Sequence, residues 1–232
     1  MANYLIIGAS SGIGKKLAEQ LSESGHQVFG TYCKNEIHSQ NTLLQFYPIN
    51  VLDEKIEFNF LPEILNGVIY CPGSINLRPF ERIKPIDFIN DYNLQVVGAI
   101  KTIQAVAQKL KNSDNASVIL FSTVAVQMGL PFHSQVSASK GALEGLTKAL
   151  AAEYAPKIRV NCIAPSLTDT PLAAPLLNSE QKRDANSERH PLRRIGTAED
   201  IAHMVEFLLS SKASWITGQI IHVDGGMSTL KV

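Results

Sequence analysis

Near the amino terminus the chain reads Gly8-Ala9-Ser10-Ser11-Gly12-Ile13-Gly14, directly after the short apolar run Tyr4–Ile7 and at the start of a helical pattern. Glycines let the backbone turn sharply, and the start of a helix supplies unpaired N–H groups that attract a phosphate. The spacing G-x-x-x-G-x-G therefore predicts a loop that holds the pyrophosphate of a dinucleotide, although a glycine-rich turn without a ligand is the alternative. The residues predicted to form this site are Gly8, Ser10, Ser11, Gly12, Ile13 and Gly14.

Outward from this loop, short apolar runs alternate with helix-period segments along the whole chain. Such apolar strands are typical of a parallel sheet that helices cover on both faces. The pattern predicts one α/β domain over residues 1–232, with a Rossmann-type doubly wound sheet of about seven parallel strands. We expect the least regular part, residues 165–196, to form a loop or short helices over the site as a substrate lid. The predicted strands are Tyr4–Ile7, Gln27–Thr31, Leu44–Tyr47, Val68–Cys71, Ser117–Ser122, Arg159–Ile163 and Ile220–Val223.

The composition argues against several classes of function. The 21 Lys and Arg residues balance 21 Asp and Glu residues, so there is no surplus of positive charge for nucleic acid or for an anionic membrane surface. Cys33, Cys71 and Cys162 are too widely spaced for a disulfide framework or a metal site, and they fit reduced thiols in the cytoplasm. The run Tyr4–Ile7 is too short for a signal peptide or a membrane span.

The end of the second predicted strand bears on the choice between NAD and NADP. An acidic residue about 20 positions after the glycine loop would bind the ribose 2′-hydroxyl of NAD. Here the segment Thr31-Tyr32-Cys33-Lys34-Asn35 contains no acid, and Lys34 can attract the 2′-phosphate of NADP. The sequence therefore favours NADP(H), with NAD possible and a merely solvent-exposed lysine as the alternative.

Further motifs follow in a fixed order, and together with the glycine loop they resemble the short-chain dehydrogenase/reductase family over nearly the whole length. The resemblance implies hydride exchange between NAD(P) and a carbonyl or alcohol, and a homodimer or homotetramer. The motifs are Cys71-Pro72-Gly73, Asn93, Ser122-Thr123-Val124-Ala125, Ser139-Lys140, Ile158–Asn161, Pro165–Thr170 and Val223–Gly226.

The resemblance also implies roles for individual residues. Lys140 matches the lysine that holds the nicotinamide ribose, and Asn93 matches the asparagine of a proton relay. Thr123 takes the position of the substrate-orienting serine, although a strand-end hydroxyl bonded to the backbone is the alternative reading. Implied cofactor contacts lie at the adenine and nicotinamide ends, at Asn50, Val51, Gly73, Pro165, Thr168 and Thr170.

One family feature is missing. The proton-donating tyrosine should lie four residues before Lys140, where this chain has Val136, and none of the six tyrosines fits the position. His133 lies seven residues before Lys140, where enoyl reductases of the same superfamily place their tyrosine, and imidazole titrates near neutral pH. His133 is therefore a candidate proton donor, with a loop histidine or a helix cap as the alternative, and Ser134 and Ser137 are weaker candidates.

The sequence thus predicts an NADP(H)-dependent oxidoreductase with an altered proton donor, acting on a small carbonyl, alcohol or enone substrate. Val136 favours the alternative, a catalytically impaired NAD(P)-binding sensor or partner subunit.

Overall fold

The computed structural model describes residues 1–231, so that Val232, the last residue of the predicted domain, lies outside the described residues. The strands are β1 (Asn3–Ile7), β2 (Gln27–Tyr32), β3 (Leu44–Pro48), β4 (Gly67–Tyr70), β5 (Ala116–Phe121), β6 (Ile158–Pro165), β7 (Thr168–Asp169), β8 (Gly196–Thr197) and β9 (Ile220–Val223). The α-helices are α1 (Gly12–Glu23), α2 (Pro85–Tyr92), α3 (Gly98–Lys111), α4 (Val124–Met128), α5 (Ser134–Tyr154), α6 (Glu180–Glu188) and α7 (Ala198–Leu209). Short 3₁₀ helices lie at Phe80–Arg82, Pro171–Leu176 and Ser211–Ala213, and a π-helical turn, Asn93–Val97, joins α2 to α3.

Seven of these strands form one sheet in the order β3-β2-β1-β4-β5-β6-β9, and every neighbouring pair is parallel. The two-residue strands β7 and β8 pair only with each other. The predicted doubly wound sheet of about seven parallel strands is confirmed, with strand boundaries that differ from the prediction by two residues at most.

Alternate residues of each strand face opposite sides of the sheet, and each side has its own core. On β1, Leu5 and Ile7 pack with residues of α3 and α5, whereas Tyr4 and Ile6 pack with residues of α1 and α7. Because both faces are covered, the central strands carry continuous apolar runs, which is the pattern that the sequence shows. Among residues 1–231, no helix combines the length and the apolar character needed to cross a bilayer.

The order of the strands places a crevice at the carboxyl ends of β1 and β4. The chain leaves β1 toward α1 on one face and leaves β4 toward α2 and α3 on the other. The loops diverge at this point, and open α/β sheets bind their ligands in such a crevice.

Two glycines make the first loop possible. Gly8 and Gly12 have φ of +78° and +55°, in the left-handed region that favours glycine. Gly14, in the first turn of α1, packs so closely on Gly8 that a Cβ atom there would strike the Gly8 carbonyl oxygen. The start of α1 is therefore held directly over the end of β1.

The segment after α2 departs from the regular helix that its apolar spacing predicts. The Tyr70 side chain of β4 reaches this segment, and its hydroxyl donates a hydrogen bond to the Leu94 carbonyl oxygen at 2.6 Å. Gly98 leaves room for that hydroxyl, since a Cβ atom at this position would collide with it. The turn Asn93–Val97 is π-helical, with the Gly98 N–H donating to the Asn93 carbonyl. Burial raises the pKa of Tyr70 well above its usual value, so this phenol stays protonated.

We predict that Gly14→Ala destabilises the fold by about 1–3 kcal/mol, because the added methyl group forces the Gly8 carbonyl away from α1. Gly145→Ala is the matched control: Gly145 is an exposed glycine inside α5, and apart from its chain neighbours and the backbone of its own helix, no heavy atom of residues 1–231 lies within 4 Å of its Cβ position. The control should be neutral or stabilise by up to about 1 kcal/mol, since alanine is the better helix former. Urea unfolding measures both, and equal free energies of unfolding for the two variants would contradict the packing described here.

Candidate active site

The carboxyl edge of the sheet opens into a cleft of about 1030 Å³. Its volume lies at the upper end of the range for small-molecule and cofactor sites. Each of the cofactor-contact residues expected from the sequence lines this cleft, namely Gly8, Ser10, Ser11, Gly12, Ile13, Gly14, Lys34, Asn50, Val51, Gly73, Lys140, Pro165, Thr168 and Thr170.

At one end of the cleft, the glycine loop presents the start of α1. Ser11 is the N-cap residue, but its side chain makes no capping hydrogen bond, and the first turn of α1 carries no acidic side chain. The Thr31 hydroxyl accepts from the Gly8 N–H at 3.1 Å, which ties the loop to β2. The free N–H groups and the positive end of the helix dipole therefore suit a phosphate group.

Beside this loop, the end of β2 brings Lys34 to the cleft as an exposed side chain. Among the described residues Lys34 has no ion-pair partner, and the nearby Glu36 lies 3.6 Å from His38 instead. The lysine is thus available to an anionic group. Asn50 and Val51 lie on the same stretch of wall, where Asn50 Nδ2 donates to Asp53 Oδ1 at 2.7 Å and Val51 is buried.

The middle of the cleft contains Lys140, a lysine of α5 that is 8% exposed. Its Nζ lies 3.7 Å from the position that a Cβ atom on Gly73 would occupy, and it makes no hydrogen bond or ion pair with residues 1–231. Burial lowers the pKa of Lys140 to about 8, while Cys162, Asp91 and Cys71 act in the opposite direction. A buried ammonium group without a partner is suited to bind the hydroxyls of a ligand.

Behind Lys140, the structure reveals a buried carboxylate that the sequence analysis missed. Asp91 of α2 is 4% exposed and accepts from Ser139 Oγ at 2.6 Å and from Gln95 Nε2 at 2.8 Å, and also from the Ser74 hydroxyl. These bonds tie α2 to the helix that carries Lys140. The sequence pattern used to predict helices identifies buried positions by their apolar residues. It therefore gives no signal for a buried cluster of polar side chains such as this one.

Asn93, the residue that the resemblance assigns to a proton relay, is not brought to the cleft by the structure. Its side chain is exposed, and Asn93 is absent from the lining of the cleft, to which Leu94 contributes instead. The physical reason is the π-helical turn, which turns the Asn93 side chain outward and leaves Asp91 and Gln95 facing inward.

Thr123 lines the cleft at the end of β5. Its hydroxyl accepts from the Ala125 N–H at 3.3 Å and caps α4. Thr123 is therefore also a strand-end hydroxyl bonded to the backbone, which is the alternative interpretation of its sequence position. The hydroxyl hydrogen remains available to a group in the cleft, because accepting this bond uses only a lone pair.

The wall of the cleft also contains Val136 and His133, at the start of α5. Val136 is 8% exposed, and of the six tyrosines only Tyr32 lines the cleft, beside Lys34. His133 is the residue directly before α5, and its Nδ1 lies 2.7 Å from the Pro131 carbonyl oxygen. A carbonyl can only accept, so Nδ1 carries a hydrogen and Nε2 is left for another partner.

The two serines that follow do not reach the cleft. Ser137 donates to the Ala125 carbonyl oxygen at 3.3 Å, and the Ser134 hydroxyl is buried with no partner among residues 1–231. Neither serine lines the cleft, so the structure brings neither of the weaker donor candidates to the site.

The remaining wall comes from residues 165–190. The 3₁₀ helix Pro171–Leu176 and helix α6 lie along it, and Arg183 of α6 pairs with Asp169 at 2.7 Å. This wall also contains Ser166 and His190, which the sequence analysis did not identify as site residues.

A family model described as enoyl-(acyl carrier protein) reductase matches residues 8–228. The chain belongs to the short-chain dehydrogenase/reductase family. The predicted resemblance is thereby confirmed, and the match supports an oxidoreductase of the short-chain type.

Among curated relatives, a 3-oxoacyl-[acyl-carrier-protein] reductase of Staphylococcus epidermidis is 32% identical over 241 aligned positions, which cover 96% of this chain and 97% of the relative. The corresponding enzyme of Rickettsia typhi is 35% identical, with 96% and 95% covered. A short-chain type dehydrogenase/reductase of Mycobacterium ulcerans has a similar structure, with a TM-score of 0.86, 26% identity, and 98% and 90% covered. The aldohexose dehydrogenase of Thermoplasma acidophilum, at 24% identity, shares the fold with a TM-score of 0.88 and 99% and 95% covered.

We predict that the affinity for NADPH falls as the pH rises through 8. With the pKa of Lys140 lowered to about 8, the free protein holds this ammonium group at pH 7 and loses most of it by pH 9. The apparent Kd should rise about tenfold between pH 7 and pH 9, in inverse proportion to the fraction of protein that keeps the charged lysine. Fluorescence titration measures this rise.

Lys140→Ala is the control for this pH dependence, since it should bind weakly with a Kd that no longer changes over the same range. Burial raises the pKa of Cys71 and Cys162 to about 12, so these thiols do not titrate there. A constant Kd in the wild-type protein would contradict the role of Lys140.

Proposed function

We propose that the protein is an NADP(H)-dependent oxidoreductase that transfers a hydride to or from a small carbonyl, alcohol or enone substrate, with a proton donor other than tyrosine. The observation that carries the proposal is the single cleft that unites the glycine loop, Lys34, Lys140 and His133. The matching family model is described as an enoyl reductase, and the two curated relatives above are named 3-oxoacyl reductases. Their names refer to an activated C=C bond and to a ketone, which are the reducible bonds of the proposed enone and carbonyl substrates.

The residues of the cleft fit NADP(H). The uncapped N–H groups of α1 bind the pyrophosphate, Lys34 binds the 2′-phosphate, and Lys140 binds the nicotinamide ribose. Asn50 and Val51 contact the adenine, while Gly73, Pro165, Thr168 and Thr170 complete the site. NADP(H) supplies the hydride of the reaction. Thr123 orients the substrate through its hydroxyl.

The proton must come from a residue other than position 136, because the valine side chain has no proton to give. Reduction of a carbonyl adds one hydride to carbon and one proton to oxygen. We assign the proton to His133: its imidazolium gives the Nε2 proton to the substrate oxygen and regains one from solvent, while the Pro131 carbonyl holds Nδ1–H. A positioned general acid contributes about 10²–10⁴-fold to the rate.

A second candidate function is binding of NAD(P) without turnover, as a sensor or a partner subunit. The observation in its favour is Val136, a buried valine in the wall of the cleft. NADPH that binds tightly but is oxidised by no member of ketone, enone and acyl-thioester panels would favour this function and contradict the first.

The homodimer or homotetramer and the cytoplasmic location stay predictions.

We predict that Lys34→Ala weakens NADPH binding about 10-fold, because a charge-assisted contact to phosphate is lost, and leaves NADH binding unchanged. Lys157→Ala is the matched control, since Lys157 is an exposed lysine just before β6, at the opposite edge of the sheet. Calorimetric titration gives the four dissociation constants, and equal losses for NADPH and NADH would remove Lys34 from the choice of cofactor.

We predict that His133→Ala lowers kcat by about 10²-fold or more with the Kd for NADPH unchanged, since only the general acid is removed. His38→Ala is the control, because His38 is an exposed histidine outside the cleft. Steady-state oxidation of NADPH against the panels measures the loss. Unchanged turnover in the His133 variant would exclude this residue from the mechanism.

A further inference from the structure

A buried histidine stands behind a serine in the wall of the cleft. His190, just beyond α6, is 3% exposed, and its Nε2 lies 2.8 Å from Ser166 Oγ. On the other side of the ring, Nδ1 lies 2.7 Å from the Asn186 carbonyl oxygen. Both ring nitrogens are therefore engaged, and Ser166 connects the imidazole to the cleft.

These two contacts fix the direction of the hydrogen bonds. The Asn186 carbonyl can only accept, so Nδ1 carries a hydrogen, and in the neutral ring Nε2 is then an acceptor. Ser166 gives its hydroxyl hydrogen to Nε2, and the Met227 sulfur, 3.0 Å from the same oxygen, is a much weaker acceptor. The Ser166 oxygen is left with free lone pairs, which makes it a hydrogen-bond acceptor toward the cleft.

Ser166 lies next to the residues that we assign to the nicotinamide, where a substrate would react. It directly follows Pro165, and Thr168 donates its hydroxyl to the Ser166 carbonyl at 3.0 Å, so it adjoins the residues assigned to the nicotinamide. The wall that continues from Ser166 combines apolar side chains, among them Leu167, Leu172 and Met227, with polar and cationic ones, among them Lys182, Asn186 and Arg189. Those three polar side chains carry N–H donors, so the Ser166 oxygen adds an acceptor that suits a hydroxyl group of a ligand.

We propose that Ser166, held by His190, accepts a hydrogen bond from a hydroxyl group that the substrate carries beside its reacting carbon. The proposal rests on the proposed function and narrows its substrate class to hydroxyketones and the corresponding diols. Ser166 contacts the substrate, and His190 is a positioning residue. A site with an acceptor of this kind discriminates against an analogue that lacks the hydroxyl, because the acceptor would lose its water without gaining a partner.

Matched substrates test the proposal. The probes are 2-hydroxyacetophenone against acetophenone, and 2-hydroxycyclohexanone against cyclohexanone. The wild-type protein should prefer each hydroxyketone by about 10- to 100-fold in kcat/KM. Ser166→Ala and His190→Phe should reduce the preference to about threefold or less, because kcat/KM falls more for the hydroxyketone than for the plain ketone of each pair. Thermal unfolding verifies that both variants are folded.

Three results would overturn the proposal. The first is that the wild-type protein shows no preference for the hydroxyketones. The second is an equal loss of kcat/KM on both members of a pair in Ser166→Ala, and the third is a loss of affinity for the cofactor amide in the same variant. The last is measured with the 3-acetylpyridine analogue of NADPH, in which a methyl group replaces the amide nitrogen. If Ser166→Ala weakens NADPH and spares the analogue, Ser166 binds the cofactor amide and not the substrate.

A binding measurement separates this proposal from the proposed function. Each ketone is titrated calorimetrically into protein saturated with NADP⁺, where no hydride can be transferred to it. A hydroxyl preference that depends on Ser166 in these complexes supports the inference even if no substrate turns over, in which case the proposed function alone fails. If the substrates of the panel turn over without any preference for the hydroxyketones, the proposed function is supported and the inference about Ser166 fails.

Discussion

The whole site depends on the close approach of two backbone segments, the Gly8 carbonyl at the end of β1 and the first turn of α1 at Gly14. Because nothing larger than a hydrogen atom fits between them, the helix starts directly above the strand, at the point where the sheet order reverses. The unpaired N–H groups of α1 are thereby aimed into the crevice, where an anion stabilises them. The other residues of the cleft are placed relative to this contact by strands β2, β4, β5 and β6, which share the same carboxyl edge.

The strands and the glycine loop could be predicted because their signals are local. Apolar runs such as Tyr4–Ile7 and the left-handed positions Gly8 and Gly12 need no knowledge of distant residues. The placement of Asn93 could not be predicted, since it depends on a tyrosine of β4 that reaches the Leu94 carbonyl across 24 residues. The Ser166–His190 pair was missed for the same reason: its partners are again 24 residues apart, and neither has a periodic signal.

The proposed function divides the chemistry of the cleft among several residues. Val136 lies where the resemblance implies a proton-donating tyrosine, while the lysine four residues later is buried and has its pKa lowered to about 8, with the Asp91 cluster behind it. The Lys140 ammonium group has no hydrogen-bond partner among residues 1–231 and borders the cleft, so a ligand that supplies hydroxyls would pair with it. Under the proposed function, cofactor binding and proton transfer depend on different residues: the first on Lys140 and the glycine loop, the second on His133.

The most direct test of the account is a calorimetric titration of the purified protein with NADPH, NADP⁺, NADH and NAD⁺. We expect one binding site per chain and the highest affinities for NADPH and NADP⁺, the two nucleotides with a 2′-phosphate. A crystal structure of the complex should place the pyrophosphate over Gly8–Gly14 and the nicotinamide ribose beside Lys140. The absence of heat with all four nucleotides, or a nucleotide bound elsewhere, would contradict it.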